Sequence, residues 1–144
     1  MEIRFAIPDD FEAVYAFINE LEDEIMDAQI QRKIFTQNLS NPDIVYLLAF
    51  SGGKPIGFLS LHIQNLLHHG APIGEIQEMY VSKEARSLGV GKLLVDEIKR
   101  IAKQRQIPQL EVTSGFKRED AHRFYEREGF AHTHKKFTWK NDIE

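Results

Sequence analysis

One α/β domain, an α+β mixed sheet with helices on both faces, is the fold class that the chain predicts, and three observations carry it. A length of 144 residues, 42% hydrophobic and 28% charged, is enough for a single core, so residues 1–144 are expected to form one domain. Short β-type runs and longer helical periodicities alternate in the order strand, two helices, three strands, helix, strand, helix, strand. Neither an internal repeat nor a linker interrupts that order, and it leaves apolar stripes to be buried on both sides of one sheet.

Taking the elements in turn, Ile3, Phe5 and Ile7 alternate with other residues until Pro8, which reads as a first, edge strand. Asp9 and Glu12 have capping-box spacing, and Phe11, Val14, Ile18 and Leu21 recur at helical intervals, giving a helix from about Asp10 to Glu22. The acidic stretch Glu20 to Asp27 extends that helix or loops out of it. A second helix follows through Ile30, Ile34 and Leu39, stopped by Ser40-Asn41-Pro42-Asp43. Ile44 to Phe50 and Pro55 to Gln64 are two strands joined by the hairpin turn Ser51-Gly52-Gly53-Lys54. A connection with His68, His69, Gly70 and Pro72 leads into the strand Glu75 to Val81. Beyond a glycine-rich turn, Val90, Leu93, Leu94, Ile98, Ile101 and Ala102 form one stripe of a helix running to about Lys103. Ile107-Pro108 ends it, Leu110 to Thr113 is a fifth strand, and Glu119 to Arg127 is a helix that Gly129 terminates. Phe130 to Lys140 is expected to close the fold as a strand or hairpin.

The turn Arg86-Ser87-Leu88-Gly89-Val90-Gly91, with Lys92 behind it, sits between a strand and a helix N-terminus. Glycines at 89 and 91 permit backbone conformations and close approaches that a Cβ would block. Unpaired first-turn N–H groups and the helix dipole then favour an anion such as a pyrophosphate. Counting excludes two phosphate loops. A dinucleotide fingerprint needs glycine where Leu94 stands, and a Walker loop needs glycine at Arg86 and Ser or Thr at Leu93.

Glu75 and Glu78 lie in a strand otherwise apolar enough to be central, where partial burial makes a carboxylate a usable base. In an unbroken strand the two face opposite sides, so only one lines a site unless a bulge intervenes. Either glutamate taken singly also suits a strand end, paired with a surface cation. His62, His68, His69 and His122 read as loop or pocket residues; the adjacent pair His68-His69 points apart and chelates poorly. Lys135-Lys136 reads as a solvated strand face. No cysteine is present, which excludes disulfides, thiolate metal sites and a cysteine nucleophile. The net charge of -4 argues against nucleic acid as a partner, and no apolar window is long enough for a bilayer. Met1-Glu2-Ile3-Arg4 lacks a signal-peptide layout, so a cytoplasmic location is expected.

A basic residue three positions before the first glycine gives Arg-x-x-Gly-x-Gly, and here the chain resembles the GCN5-related N-acetyltransferase (GNAT) superfamily. That resemblance implies a mixed, mostly antiparallel sheet, acetyl-CoA as acetyl donor, and direct transfer to a primary amine. It implies cofactor contacts from Arg86, Ser87, Leu88, Gly89, Val90, Gly91 and Lys92, and from the backbone of Met79, Tyr80 and Val81, which would hold the pantetheine arm. The run Ala121-His122-Arg123-Phe124-Tyr125 through Gly129-Phe130 is similar to a motif of the superfamily whose tyrosine protonates the leaving thiolate, which nominates Tyr125 as general acid beside Glu78 as base. Read without the motif, Tyr125 is a packing residue next to Phe124.

On a narrower set, the run His68-His69 through Gly74-Glu75-Ile76-Gln77-Glu78 with Lys117 to Tyr125 and Arg127-Glu128-Gly129, the chain resembles aminoalkylphosphonate N-acetyltransferases. Those act on small aminophosphonates, and a divalent metal has been associated with the group; no residue set in this sequence supports a metal site. Substrate contacts then fall to Glu75, Arg118 and Lys136, the two cations being the candidates to face a phosphonate; Arg118, where many superfamily members carry asparagine, suits a phosphate of CoA equally through its paired donors, or a solvated helix start. Two alternatives stay open: another acceptor, such as a polyamine, an antibiotic or a protein N-terminus, and an acetyl-CoA-binding module without turnover. A carboxylate-lined pocket would favour the polyamine. A homodimer is left open.

Overall fold

A computed structural model describes residues 1–113 and 119–143. They fall into two compact units, Met1–Val112 and Thr113–Glu144. The first unit holds a five-stranded sheet of β1 (Glu2–Phe5), β2 (Ile44–Ser51), β3 (Lys54–Leu66), β4 (Ala71–Val81) and β5 (Gln109–Val112), arranged in sequence order. Neighbours are antiparallel from β1 to β4, and β5 runs parallel to β4, as a mixed sheet requires. The helix connecting that parallel pair is α3 (Val90–Gln104). The helices α1 (Phe11–Glu22) and α2 (Ala28–Leu39) connect β1 to β2.

Alternation along the strands gives the sheet two packed faces. Leu48, Phe58 and Tyr80 are cross-strand neighbours that join Phe11, Val14 and Phe17 of α1 and Phe35 of α2 in one aromatic-rich cluster. The next residue along β3 from Phe58, Gly57, faces α3. A Cβ there would lie 3.0 Å from Val90 Cγ1 and 3.3 Å from Leu94 Cδ1, so the glycine lets the first turn of α3 settle closely on the strand. From α3 itself Val90, Leu94, Val95, Ile98, Ile101 and Ala102 are buried. Leu93, expected in that stripe, is 40% exposed, and Val95 takes the inward position instead.

Local chemistry accounts for the boundaries. The Ser51–Lys54 turn forms as predicted, with Gly52 and Gly53 both at positive φ, +56° and +80°, the requirement of a two-residue hairpin matched to strand twist. The Asp9/Glu12 capping box does not form. Asp10 turns back instead, its carboxylate accepting the Ile7 N–H at 2.8 Å and both Arg4 guanidinium nitrogens at 2.8 and 3.0 Å. The hydrogen bonds from Arg4 hold the Asp10 carboxyl below its usual range against the opposing effect of burial. α1 stops at Glu22 because Asp23 adopts a left-handed conformation (φ +53°). The acidic stretch beyond is a loop, pinned by the Asn19 Oδ1 contact to Met26 N–H (2.9 Å) and by Tyr15 Oη to Met26 O (2.5 Å). Asp27 then caps α2 through Ile30 N–H at 3.0 Å. In α2 the inward position belongs to Phe35, while Ile30 and Ile34, predicted as its buried stripe, are 58% and 45% exposed.

The second unit carries α4 (Glu119–Arg127), closed by hydrogen bonds from Glu128, Gly129 and Phe130 N–H to Phe124, Glu126 and Tyr125 carbonyls. Residues 130–140 form no strand or hairpin, contrary to the sequence expectation. Among the described residues no ladder partner pairs with them, and residues 131–143 are exposed.

Candidate active site

β4 changes character part-way along its length. From Ile73 to Ile76 it pairs with β3 on one side and β5 on the other, and the last parallel pair is Ile76 with Val112. Beyond Ile76 only the β3 edge remains paired among the described strands, so the backbone of Met79, Tyr80 and Val81 keeps one edge outside the sheet ladder. At the same point the register slips: Ser60 pairs with Glu78 but Leu61 with Ile76, leaving Gln77 as the extra residue of a bulge.

The bulge resolves the question of the two glutamates. Ser60 and His62 lie on one face of β3 because they are two residues apart; their partners across the ladder are Glu78 and Glu75. Both carboxylates therefore come to the face covered by α1 and α2. Their surroundings differ. Glu75 accepts a hydrogen bond from Gln77 Nε2 at 2.9 Å, whereas Glu78 is engaged by Ser60, whose hydroxyl donates to Glu78 Oε1 and accepts the Glu78 N–H at 3.0 Å.

Glu78, but not Glu75, lines a cavity of about 310 Å³ between α1, α2 and the sheet. That is the lower end of the range for small-molecule pockets, roughly 300–1,000 Å³. Phe11, Phe35 and Phe58 give it an apolar floor, and Tyr46, His62 and Asn38 add polar groups. The pinned α1–α2 loop contributes Glu24 and Met26, and the end of α1 contributes Glu22. Among the described residues neither lysine nor arginine lines it. Tyr46, Ser60 and Glu78 form one cross-strand row. Burial holds the Tyr46 hydroxyl above its ordinary value, opposed by the hydrogen bond from Asn38 Nδ2 (2.6 Å) and reinforced by the negative charge of Glu78. Tyr46 thus stays protonated on the cavity wall that it shares with Glu78. Of this row the sequence singled out only Glu78; a serine inside the apolar run Gly57-Phe58-Leu59-Ser60-Leu61 was the available signal for Ser60.

The glycine-rich turn follows the free-edged end of β4 by way of Ser82 and a short 3-10 turn, Lys83–Ala85. Gly89 is the N-cap of α3 at φ +85°, with no side-chain cap. A Cβ there would meet nothing, so backbone conformation rather than space calls for the glycine. Gly91 is already helical, and its contribution is the missing side chain alone. The first helical bond runs from Leu93 N–H to Gly89 O at 3.1 Å, so the N–H groups of Val90, Gly91 and Lys92 precede the helical ladder. Ser87 is left-handed (φ +68°), and Leu88 is 62% exposed. Arg86 is tied to the end of β4, its Nε donating to Val81 O at 3.1 Å and its guanidinium 5.5 Å from the Tyr80 ring centroid. Lys92 pairs with Asp96 at 3.4 Å.

Two other nominated residues belong to the second unit. Tyr125 lies on α4 with its ring edge-on to Phe124 (5.3 Å) and Phe130 (5.8 Å), and Lys136 is exposed. Arg118 falls outside the described residues. Among the described residues no three His, Asp or Glu side chains gather as metal ligands; the His68 and His69 rings meet in the β3–β4 turn with centroids 4.4 Å apart and planes tilted by 47°.

The acetyltransferase (GNAT) family model matches residues 9–130, which span both the cavity and the turn. The chain belongs to the GNAT acetyltransferase family. It is accordingly an acyl-transferring enzyme, an N-acetyltransferase, as the motif resemblance implied. Aminoalkylphosphonate N-acetyltransferase of Salmonella typhimurium is 41% identical over 137 residues, covering 95% of this chain and 89% of that protein. The fold is shared with an aminoglycoside antibiotic 6'-N-acetyltransferase from Acinetobacter haemolyticus, with TM-score 0.85, 22% identity and all of both chains covered. It is also shared with an aminoglycoside N-acetyltransferase in complex with CoA, with TM-score 0.87, 16% identity, and 99% of this chain and 95% of that one covered. No helix among the described residues is long and apolar enough to cross a membrane.

Proposed function

We propose that this GNAT enzyme transfers the acetyl group of acetyl-CoA to the primary amine of a small aminoalkylphosphonate, with Glu78 as general base and Tyr125 as general acid. The observation that carries the assignment of the acceptor site is the Glu78 carboxylate on the wall of the 310 Å³ cavity, at the end of β4 where one strand edge is left out of the ladder. Acetyl-CoA would lie along that edge, its pyrophosphate on the N–H groups of Val90, Gly91 and Lys92. Glu78 removes a proton from the substrate ammonium, the freed amine attacks the thioester carbonyl, and the tetrahedral intermediate expels the CoA thiolate, which takes its proton from Tyr125. The phosphonate is supported by the 41% identical relative, an aminoalkylphosphonate N-acetyltransferase.

A second acceptor class is favoured by one specific observation. Among the described residues Glu22, Glu24 and Glu78 line the cavity without a lysine or arginine, an electrostatic setting that suits a polycation better than a dianion. Arg118 and Lys136 are the cations on which the phosphonate reading depends. Thiol release from acetyl-CoA, measured with an aminoalkylphosphonate, a polyamine and an uncharged amine of equal length, decides between them. The phosphonate is expected to give the highest kcat/KM. A polyamine preferred to the phosphonate would reassign the acceptor, and no thiol release with any amine would return the chain to a binding role.

A further inference from the structure

We infer that Ser60 is a positioning residue for the acetyl-transfer base, fixing one oxygen of the Glu78 carboxylate so that the other is presented to the acceptor amine. The inference rests on the reading of Glu78 as that base. Ser60 is fully buried at 0% exposure, in the middle of an otherwise apolar segment of β3; among the described residues Asp10 is the other buried polar side chain. A hydroxyl has one proton to give and two lone pairs to offer. The Glu78 backbone N–H can only donate, so Ser60 Oγ is the acceptor in their 3.0 Å contact, and the hydroxyl proton is left for Glu78 Oε1.

Both contacts arise from the bulge. Where Gln77 pushes β4 out of register, a serine hydroxyl receives the Glu78 N–H from across the ladder and grips that residue's own side chain. One carboxylate oxygen is thereby spoken for by the protein. Among the described residues Glu78 Oε2 has no hydrogen-bond partner, and the side chain lines the cavity, so the unused oxygen is the one available to a substrate ammonium. A base has to sit within hydrogen-bond reach of the proton it removes, and a glutamate with three rotatable bonds does so reliably only when something holds it.

A double-mutant cycle on purified protein tests this, with kcat, the KM of each substrate and thermal unfolding measured for every variant. Ser60→Ala is expected to lower kcat about 10- to 100-fold, the scale of a misplaced catalytic group, with the KM of acetyl-CoA within about twofold. In the Glu78→Gln background the same change is expected to cost less than about threefold, because the group it positions is gone. The Ser60→Ala deficit should also shrink at high pH, where free amine is abundant, together with that of Glu78→Gln. An equal loss in both backgrounds, or a pH-independent loss, overturns the positioning role and leaves Ser60 as a partner for the bulge N–H. Wild-type turnover in Glu78→Gln is the different result that removes the base reading itself. Ser60→Cys, similar in size but a weak donor, goes through the same cycle and decides the matter if the alanine variant does not fold.

Discussion

On the side of the sheet toward α3, Leu47, Leu59, Leu61 and Ile76 are at most 2% exposed, whereas on the side toward α1 and α2 the alternating positions Tyr46, Ser60 and Glu78 run as a polar row to a cavity wall. The same strands make both faces. On the α3 side close packing is the whole purpose: branched aliphatic side chains, and glycine at 57 where a Cβ would crowd Val90 and Leu94. On the other side the packing is aromatic and incomplete, and its polar groups are partnered to one another within hydrogen-bond distance. The difference assigns stability chiefly to one face and chemistry to the other, and substitutions on each can break that division.

The largest effect is expected at Glu78. Glu78→Gln keeps the shape and removes the proposed base, so kcat should fall about 100- to 10,000-fold, while unfolding free energy changes by no more than about 1 kcal/mol. The deficit should narrow as pH rises, because an amine already deprotonated needs no base. A variant that unfolds, or a deficit of constant size across pH, would show that Glu78 serves the sheet or substrate binding instead. Next in size is Ile98→Ala, on the α3 face at 0% exposure and two turns beyond the N-terminus of the helix. Truncation there should cost about 2–5 kcal/mol in urea unfolding. Turnover per folded molecule should stay close to wild type. A selective loss of kcat without loss of stability would break the division of labour from the other side.

How far the sequence could reach follows from the same two faces. The α3 stripe, the two-glycine hairpin and the Arg86–Lys92 turn are local patterns, a 3.6-residue period or a positive-φ requirement, and they were legible apart from the exchange of Leu93 for Val95. Glu78 was legible as a carboxylate in an apolar strand. Its companions were not, because what unites Tyr46, Ser60 and Glu78 is ladder register across three strands, set by a one-residue bulge at Gln77 that no spacing in β4 announces. Ile30 and Ile34 misled for a related reason: periodicity tells which residues share a face, not whether that face meets the core, and Ile34 instead lines the cavity. The expected strand or hairpin at 130–140 has no ladder partner among the described residues, and sheet membership is decided by the partner.

The smallest effect, and the one that most sharpens the contrast, is expected at Tyr46. Its ring stacks on Phe35 at 5.5 Å with planes 4° apart and tilts against Phe58 at 5.5 Å, so Tyr46→Phe keeps the aromatic packing and deletes only the hydroxyl. Asn38 Nδ2 then loses its acceptor, but Asn38 is half-buried and water can take the vacated place. Stability should therefore drop by only about 0.5–1.5 kcal/mol, the net worth of one hydrogen bond. Function should register the change differently. Because Asn38 donates to the tyrosine oxygen, the hydroxyl proton is left to point elsewhere, and burial together with the Glu78 charge keeps that proton on. A donor beside the base can hold an acceptor atom of the substrate. The KM of the amine substrate should rise about three- to tenfold, matching a lost hydrogen bond, with the KM of acetyl-CoA unchanged and kcat lowered less than by Glu78→Gln. An unchanged amine KM in a folded Tyr46→Phe enzyme would confine the chemistry of this face to Ser60 and Glu78 and return Tyr46 to the aromatic cluster.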